Sequence, residues 1–179
     1  DTLAGLCYEK RILLDRHDHC NINSRYVGQE FEKDVYTGLH TLLEASAKYK
    51  DFTLIFPENS VHPSELKDGV RSFCADNGFG FSVITPSKFQ HVQKGRAYVV
   101  IDDEDLVQAI HLARKAGLVP GRDIGLLSYN ETPLKSVVAD GITTLSTDFD
   151  KMGRNLTAML EDPSIHYIHN PFKVFIRKS

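Results

Sequence analysis

Residues 97–129, AYVVIDDEDLVQAIHLARKAGLVPGRDIGLLSY, contain the pattern that decides the fold. An uninterrupted apolar run over residues 97–101 precedes an amphipathic stretch over residues 103–116, which Gly117 ends. A second apolar run follows over residues 124–128. Strands that are apolar on both faces are typical of parallel sheets covered by helices. The stretch therefore predicts two parallel strands joined by a helix in a right-handed crossover.

The same alternation continues in both directions along the chain. Periodicity and the positions of proline and glycine predict strands over residues 11–14, 52–56, 81–85, 142–146 and 173–177, and helices over residues 31–49, 63–77 and 149–160. This order predicts an α/β fold with a doubly wound parallel sheet. The two ends of the chain do not complete a strand–helix unit. We therefore expect residues 31–145 to form one subdomain, and residues 1–30 and 146–179 to share a second, incomplete one.

The composition excludes several classes of protein. The chain has 179 residues, of which 41% are hydrophobic and 25% charged, and its formal net charge is −3. This charge argues against a protein that coats nucleic acid, and no apolar run has the length of a membrane span. The three cysteines, Cys7, Cys20 and Cys74, form no CxxC pair. They are expected to be reduced and inert, as in a cytoplasmic protein.

Polar side chains follow the four central strands of the middle subdomain. In open α/β sheets, ligands bind beyond the carboxyl ends of the strands. Those ends are followed by PENSVH at residues 57–62, PSKF at 86–89, DDED at 102–105 and YNET at 129–132. Carboxylates, an amide, hydroxyls and aromatic rings suit a neutral polyhydroxylated ligand. The alternative is that these residues only cap helices and solvate loops.

Other chemistries have weaker support in the sequence. HDHC at residues 17–20 contains zinc-binding residue types, but no second cluster supplies further ligands, so we predict no metal site. The run DDED with Asp148 downstream resembles the phosphoacceptor site of a receiver domain, although Asp148 is more simply a helix N-cap. We find no phosphate-binding glycine motif and no nucleophile elbow, and therefore predict no cofactor and no catalytic residues. Tyr129, Asp102 and Glu131 could in principle form an acid–base set, but nothing in their spacing requires one.

Three stretches resemble the LacI/GalR family of sugar-responsive repressors. GRDIGLLSYNETPLKSVVADGITTLSTDFDKMG, residues 121–153, resembles the family strand ending in Gly/Ser-Tyr-Asp/Asn-Asp/Glu, the variable loop, the Leu/Ile-Thr-Thr strand and the helix that carries a glycine. VIDDEDLVQAIHLARKAGLVPGRDIG, residues 100–125, resembles the family's Asn/Asp-Asp strand end, the helix after it and the Gly-x-x-x-Gly exit. RILLDR, residues 11–16, resembles a family strand that ends in an aspartate. The resemblance covers nearly the whole chain.

The resemblance implies a periplasmic-binding-protein-like fold of type I, with two Rossmann-like subdomains. In that family a sugar or another small effector binds the inter-subdomain cleft and changes how a homodimer presents its DNA-binding heads. The resemblance also implies that this chain is the C-terminal portion of such a regulator, without the head and roughly the first hundred residues of the effector domain. FPENSVHPSEL, SYNETPLK and NPFKVFIRKS look most similar to regulators with a GntR-type winged-helix head.

Carried over residue by residue, the resemblance also implies an effector-binding set. Asp15 matches a strand-end aspartate, and Asp102 and Asn130 match acidic or amide contacts. Ser60 and His62 fall where polar contacts precede the family's cleft helix. The complete predicted set is Asp15, Arg16, Ser60, His62, Phe89, Asp102 and Asn130.

One position departs from the family pattern. The family often has an arginine three residues before the helix glycine, and counting back from Gly69 leads to Leu66. Arg16 or Lys67 would then substitute for that arginine, or the ligand differs. Phe89, in the loop after the strand at residues 81–85, is expected to cover the ligand.

The sequence leaves three functions to distinguish. The first is a non-enzymatic effector-sensing domain of a transcriptional regulator, whose partners are a small sugar-like effector, a second copy of the chain, and DNA through a separate head. The second is a transport-type sugar-binding protein, which would need export; the absence of a visible signal peptide and the free cysteines argue against it. The third is a small α/β enzyme that would convert a sugar rather than return it unchanged.

Overall fold

The computed structural model describes residues 11–16 and 24–179. The described strands are β1 (Ile12–Asp15), β2 (Arg25–Gly28), β3 (Asp51–Ile55), β4 (Gly80–Ile84), β5 (Arg96–Val100), β6 (Gly125–Tyr129), β7 (Thr143–Thr147), β8 (Tyr167–His169) and β9 (Phe172–Phe175). The described α-helices are α1 (Phe31–His40), α2 (Leu43–Ser46), α3 (Glu65–Asn77), α4 (Asp103–Lys115) and α5 (Phe149–Glu161). Strands and helices alternate along most of the chain.

The described residues divide into two compact units. The smaller unit contains the described residues up to Glu30 together with Thr147–Phe172, and the larger unit contains Phe31–Ser146 and Lys173–Ser179. A three-stranded sheet in the order β1-β2-β8 belongs to the smaller unit. The larger unit is built on a six-stranded sheet in the order β4-β3-β5-β6-β7-β9.

Helices cover both faces of the larger sheet, as β5 shows. Tyr98 and Val100 belong to a buried cluster that includes Ile110 of α4. Val99 and Ile101, which alternate with them, lie among the apolar side chains of α1 and α3. Because successive residues of a strand point to opposite faces, a strand covered on both sides must be apolar throughout. The predicted α/β fold with a doubly wound parallel sheet is thereby confirmed.

A close approach of α1 and α3 covers one of these faces. At Gly69 of α3, an added Cβ atom would lie 2.5 Å from the carbonyl oxygen of Glu32 and 2.8 Å from Cβ of Val35. Glycine is therefore required by the distance between the two helices. Leu66 and Val70 flank it on α3 and are fully buried, at 1% and 2% exposure.

A buried arginine binds the C-terminal end of α5, the helix of the smaller unit. Val27, Met152 and Met159 form the apolar cluster between its sheet and α5. Arg25 of β2 donates hydrogen bonds to the carbonyl oxygens of Met159, of Asp162 at 2.8 Å and of Ile165 at 2.9 Å. The last carbonyl groups of a helix have no partner within the helix. This guanidinium binds one of them, that of Met159, together with the C-cap carbonyl of Asp162, and complements the negative end of the helix dipole.

Most predicted elements lie within one or two residues of their predicted bounds, and the helix predicted over residues 31–49 is the exception. It ends at His40, because Thr41 donates from both its backbone N–H and its hydroxyl to the carbonyl of Gly38, at 3.2 and 2.7 Å. The short helix α2 follows. Strands β2 and β8 lie outside every predicted element, since three or four residues show no periodicity.

The end of the chain also corrects an expectation. We expected residues 146–179 to return as a whole to the second subdomain, but from Lys173 onward they lie in the larger unit. The physical reason is the open edge of β7, which β9 covers. Arg177 donates its backbone N–H to the Thr143 hydroxyl at 3.0 Å, and the Thr143 N–H donates to the Ser179 hydroxyl at 2.7 Å.

Within the part of the chain that the structure describes, no helix combines the length and the apolar character needed to cross a membrane.

Candidate functional site

The carboxyl ends of the central strands meet at one edge of the larger unit's sheet. The parallel register places Ile55, Val100, Ser128 and Thr144 side by side on β3, β5, β6 and β7. The loops that leave β3, β5 and β6 therefore begin next to one another. This register brings together residues that are far apart in the sequence.

Side chains from two of these loops and from the last residue of β6 meet in one cluster. Nε2 of His62, in the loop after β3, lies 3.3 Å from Oδ1 of Asp102, which follows β5. The His62 ring also stands edge-on to the ring of Tyr129, with centroids 5.4 Å apart. Ser60 accepts a hydrogen bond from the backbone N–H of His62 at 3.0 Å, which holds the loop. Ser60, His62 and Asp102 of the predicted set thus lie together.

Asp102 is available to this cluster because it does not cap its own helix. It occupies the N-cap position of α4 in an extended conformation, yet its side chain makes no capping hydrogen bond. Three further acidic residues, Asp103, Glu104 and Asp105, occupy the first turn of α4. Burial raises the pKa of the Asp105 carboxyl, and the charges of Asp102 and Glu104 raise it further.

Asn130, at the end of β6, brings an unpaired acceptor to the same edge. Its φ of 60° lies in the left-handed region, and its backbone N–H donates to the carbonyl of Leu145 at 2.9 Å. Its side-chain oxygen Oδ1 is buried and has no hydrogen-bond partner in the described structure, and the same holds for the hydroxyl of Ser128. A buried acceptor without a donor costs about 1–3 kcal/mol. A donor supplied by a ligand would remove that cost.

Two cations that the sequence interpretation missed support the loop after β6. The side chain of Lys135 is 3% exposed. Its ammonium group donates to the carbonyl oxygens of Tyr129 and Asn130, each at 2.8 Å, and lies 2.7 Å from Oδ1 of Asp103. Arg177 forms a bidentate pair with Glu131, at 2.9 and 2.7 Å. No local pattern marks either residue, because their partners come from other elements.

The ion pair with Arg177 favours the charged form of the Glu131 carboxyl. The guanidinium holds the pKa of the Glu131 carboxyl below its usual range, and the Thr144 hydroxyl, which donates to it, acts in the same direction. Both carboxylate oxygens are therefore occupied and charged. In this arrangement Glu131 is not placed to act as a general base with Tyr129 and Asp102.

Phe89 corrects one site prediction. It does not cover a ligand; its side chain is 2% exposed and belongs to the buried cluster beneath α4. Its ring packs against Tyr98, with centroids 5.6 Å apart. The tight turn Pro86–Lys88 directs the chain back over the sheet, so the first large apolar residue after it becomes part of the core.

Two further residues of the set, Asp15 and Arg16, belong to the smaller unit. Both are exposed at the end of β1, where Asp15 has a φ of 72°. The backbone carbonyl of Asp15 accepts a hydrogen bond from the Tyr26 hydroxyl at 3.0 Å. Their assignment to the effector site remains a prediction.

Core packing explains why position 66, where the family often has an arginine, is occupied by an apolar residue. Leu66 is 1% exposed and could not reach a ligand. Lys67, the next residue, places its ammonium group 4.1 Å from the centroid of the Phe56 ring, directly after β3. Lys67 therefore lies near the strand ends, although its cation faces an aromatic ring.

The alternative chemistries find little support among the described residues. Residues 11–16 and 24–179 contain no group of three or more side chains that could hold a metal ion, and residues 17–20 lie outside them. Asp148 accepts a hydrogen bond from the backbone N–H of Lys151 at 2.9 Å, as expected of an N-cap. Burial raises the pKa of the Cys74 thiol to about 12, so it is inert, whereas Cys7 and Cys20 are not among the described residues.

One known protein family matches a stretch that includes most of the larger unit. A family model described as "Periplasmic binding protein-like domain" matches residues 44–166. A search of curated proteins gave no match.

Solved structures of the lac repressor and of LacI-type transcriptional regulators share the fold. The lac repressor bound to ONPG in its repressed state has a TM-score of 0.67 and 19% identity, over 93% of this chain and 56% of that one. A periplasmic binding protein/LacI transcriptional regulator from Alkaliphilus metalliredigens, complexed with D-xylulofuranose, has a TM-score of 0.69 and 12% identity, over 93% and 69%. A LacI family transcriptional regulator from Arthrobacter sp. FB24 has a TM-score of 0.72 and 11% identity, over 94% and 69%.

These likenesses establish the fold and no more, because the identities are low. The chain also spans only 56% of the length of the lac repressor chain that it matches.

Proposed function

This chain belongs to the periplasmic binding protein-like domain family, and we propose that it is the effector-sensing domain of a bacterial transcriptional regulator of LacI type. The larger unit would be the C-terminal subdomain, and the smaller unit would be part of the N-terminal one. We further propose that the intact regulator is a cytoplasmic homodimer that contacts DNA through a separate head, for which the sequence resemblance favours the GntR type.

The single observation that carries the proposal is the set of hydrogen-bonding groups at the strand ends of the larger unit. His62, Asp102 and Asn130 come from three different loops, and the side-chain oxygen of Asn130 is buried without a donor. A ligand rich in hydroxyl groups would donate to the side-chain oxygen atoms of Asp102 and Asn130. The ring of Tyr129 offers an apolar surface beside them. We therefore propose a neutral monosaccharide or a derivative as the effector.

The proposed mechanism is a shift between conformations of the intact dimer. An effector that binds one conformation more tightly raises its population by the difference between the two affinities. DNA binding then changes because the same equilibrium determines how the heads are presented. The domain returns its ligand unchanged, so we propose that it is not an enzyme. The engagement of Glu131 by Arg177 supports this, because it removes one of the acid–base groups.

Isothermal titration of the chain against a panel of neutral pentoses and hexoses tests the proposal. Asp102→Ala is expected to weaken binding of the best sugar at least about tenfold, the loss that one charged hydrogen bond carries. Asn130→Gly is the better second variant, because glycine retains the left-handed φ that alanine would strain. Asp150→Ala, an exposed residue of α5, is the matched control and should bind as the unaltered chain does.

The outcomes separate the candidate functions. Unchanged affinity in both Asp102→Ala and Asn130→Gly would exclude the assigned site. Conversion of the sugar to a product would favour the enzyme. Sugar binding by the intact protein with no effect on its DNA binding would favour the transport-type protein.

A further inference from the structure

Lys135 is a buried cation, and apolar packing does not account for its burial. It lies in the short helical turn Pro133–Ser136, on the loop that follows β6, and its side chain is 3% exposed. Lysine is almost never buried to this extent unless it is paired. Its three ammonium protons have three acceptors here: the carbonyls of Tyr129 and Asn130 and the carboxylate of Asp103. The ammonium group is therefore fully satisfied.

These three acceptors belong to two elements that both carry candidate site residues. Two are backbone carbonyls at the carboxyl end of β6, one of them that of Asn130 itself. The third is the carboxylate of Asp103, the first residue of α4, which directly follows Asp102. One cation thus connects the strand end that presents Asn130 with the helix start that presents Asp102.

The backbone at Asn130 needs such support. A non-glycine residue in the left-handed region persists only where its surroundings determine it. Here the N–H of Asn130 is held by Leu145 and its carbonyl by Lys135. The next N–H, that of Glu131, donates to the Ser146 hydroxyl at 2.9 Å. Removal of the ammonium group would release the carbonyl on one side of this arrangement.

The charge of Lys135 is also needed beside α4. Asp102, Asp103, Glu104 and Asp105 follow one another at the start of that helix. Lys135 neutralises Asp103 from within the structure, on the side that faces the end of β6. Its absence would leave adjacent carboxylates to repel one another where Asp102 meets His62.

We propose that Lys135 is the positioning residue of the candidate effector site, because its buried ammonium group ties the carboxyl end of β6 to the start of α4. It contacts no ligand itself. This inference rests on the proposed function for the meaning of the site, but the tie can be measured without any ligand.

Hydrogen exchange on the full chain, with Lys135→Met as the variant, tests the tie. Methionine has a similar length and no charge. We expect exchange at the amides of Asn130 and Glu131 to rise at least tenfold more than at Val99 in the centre of the sheet. A role in global stability alone would raise exchange at all three amides by the same factor, and that result would overturn the proposal.

Asp103→Asn gives a second, milder test should Lys135→Met fail to fold. It leaves the two carbonyl bonds of Lys135 in place and removes the ion pair. We expect faster exchange at the amide of Leu106, which donates to the carbonyl of Asp102 at 3.1 Å, and a smaller change at Asn130. Unchanged exchange at Leu106 relative to Val99 would contradict the tie to α4.

Titration with the same pentoses and hexoses adds the functional measurement. Lys135→Met is expected to weaken binding about tenfold or more at a temperature where the variant is fully folded, and the exposed Lys115→Met is expected to leave it unchanged. Undiminished affinity in Lys135→Met would overturn its positioning role. If the unaltered chain binds none of the sugars, the proposed function fails, and the exchange experiment alone decides whether Lys135 makes the tie.

Discussion

The two units of this chain are both parallel α/β layers, yet they are stabilised differently. In the larger unit, helices cover both faces of the sheet, and α1 approaches α3 so closely that Gly69 has no room for a Cβ atom. In the smaller unit, a three-stranded sheet packs on α5 through a short apolar cluster, and Arg25 is buried at the end of that helix. Apolar packing covers both sheet faces in the larger unit, where the buried cation Lys135 lies at the strand ends, whereas in the smaller unit the buried cation Arg25 lies at the end of the helix that covers the sheet.

Because of this difference, the loss of a polar side chain should reduce the stability of the fold by different amounts at different sites. A buried cation that binds helix carbonyls is costly to remove, because the carbonyls are then left without donors. An ion pair that is partly exposed at the edge of a large apolar core is worth much less. The comparison therefore predicts a larger loss of stability from removal of the Arg25 guanidinium than from removal of the Glu131 charge, and three substitutions test it.

The largest effect is expected at Arg25. Arg25→Met removes the donor of three carbonyl groups, in the last turn of α5, at its C-cap and in the turn that follows, and should lower the free energy of unfolding by about 3 kcal/mol. Chemical denaturation followed by circular dichroism measures this loss. The exposed Arg154→Met on the same helix is the control, and an equal, small effect of both variants would contradict the role of Arg25.

A smaller effect is expected at the helix contact of the larger unit. Gly69→Ala places a methyl group 2.5 Å from a backbone oxygen of α1, so the two helices must separate, at a cost of about 1–3 kcal/mol. Gly153→Ala on α5 is a matched control, because nothing lies within 4 Å of its added Cβ. It should be neutral or stabilising by up to about 1 kcal/mol in thermal unfolding. A loss of stability in Gly153→Ala equal to that in Gly69→Ala would show that the contact is unimportant.

The smallest effect is expected at the pair of Glu131 with Arg177, and it should depend on pH. Because the pair lowers the pKa of Glu131 in the folded protein, its contribution is present above the unfolded-state pKa and is lost as the pH falls through the folded-state pKa. Glu131→Gln should cost about 1 kcal/mol at pH 7 and progressively less below about pH 4. Urea denaturation at several pH values, with the exposed Glu161→Gln as the control, measures the difference. A cost that does not diminish with acidification would exclude the charged pair as its cause.

Much of the candidate site was predictable because it follows from strand ends. Polar residues directly after apolar parallel strands are expected to meet at one edge, and Ser60, His62 and Asp102 do so. Phe89 was not predictable as a core residue, because a loop position does not reveal whether the chain turns back over the sheet. Lys135 was missed for a similar reason, because no pattern in the neighbouring sequence indicates that its side chain is buried.

The type and order of most secondary-structure elements can be predicted from the sequence alone. Apolar residues 97–101 identify a strand buried on both faces. The helix predicted over residues 63–77 ends where Gly78, with a φ of 72°, caps α3. These features depend on neighbouring residues within one element, so local pattern is enough to identify them.

Tertiary structure alone decided which polar groups meet and to which unit each end of the chain belongs. His62 meets Asp102 because β3 and β5 pair in a parallel register, and Lys135 reaches Asp103 because the turn after β6 folds towards α4. β9 joins the larger unit because the edge of β7 is open to it. Each of these contacts joins residues that are distant in the chain, and the packing of whole elements determines the distance between them.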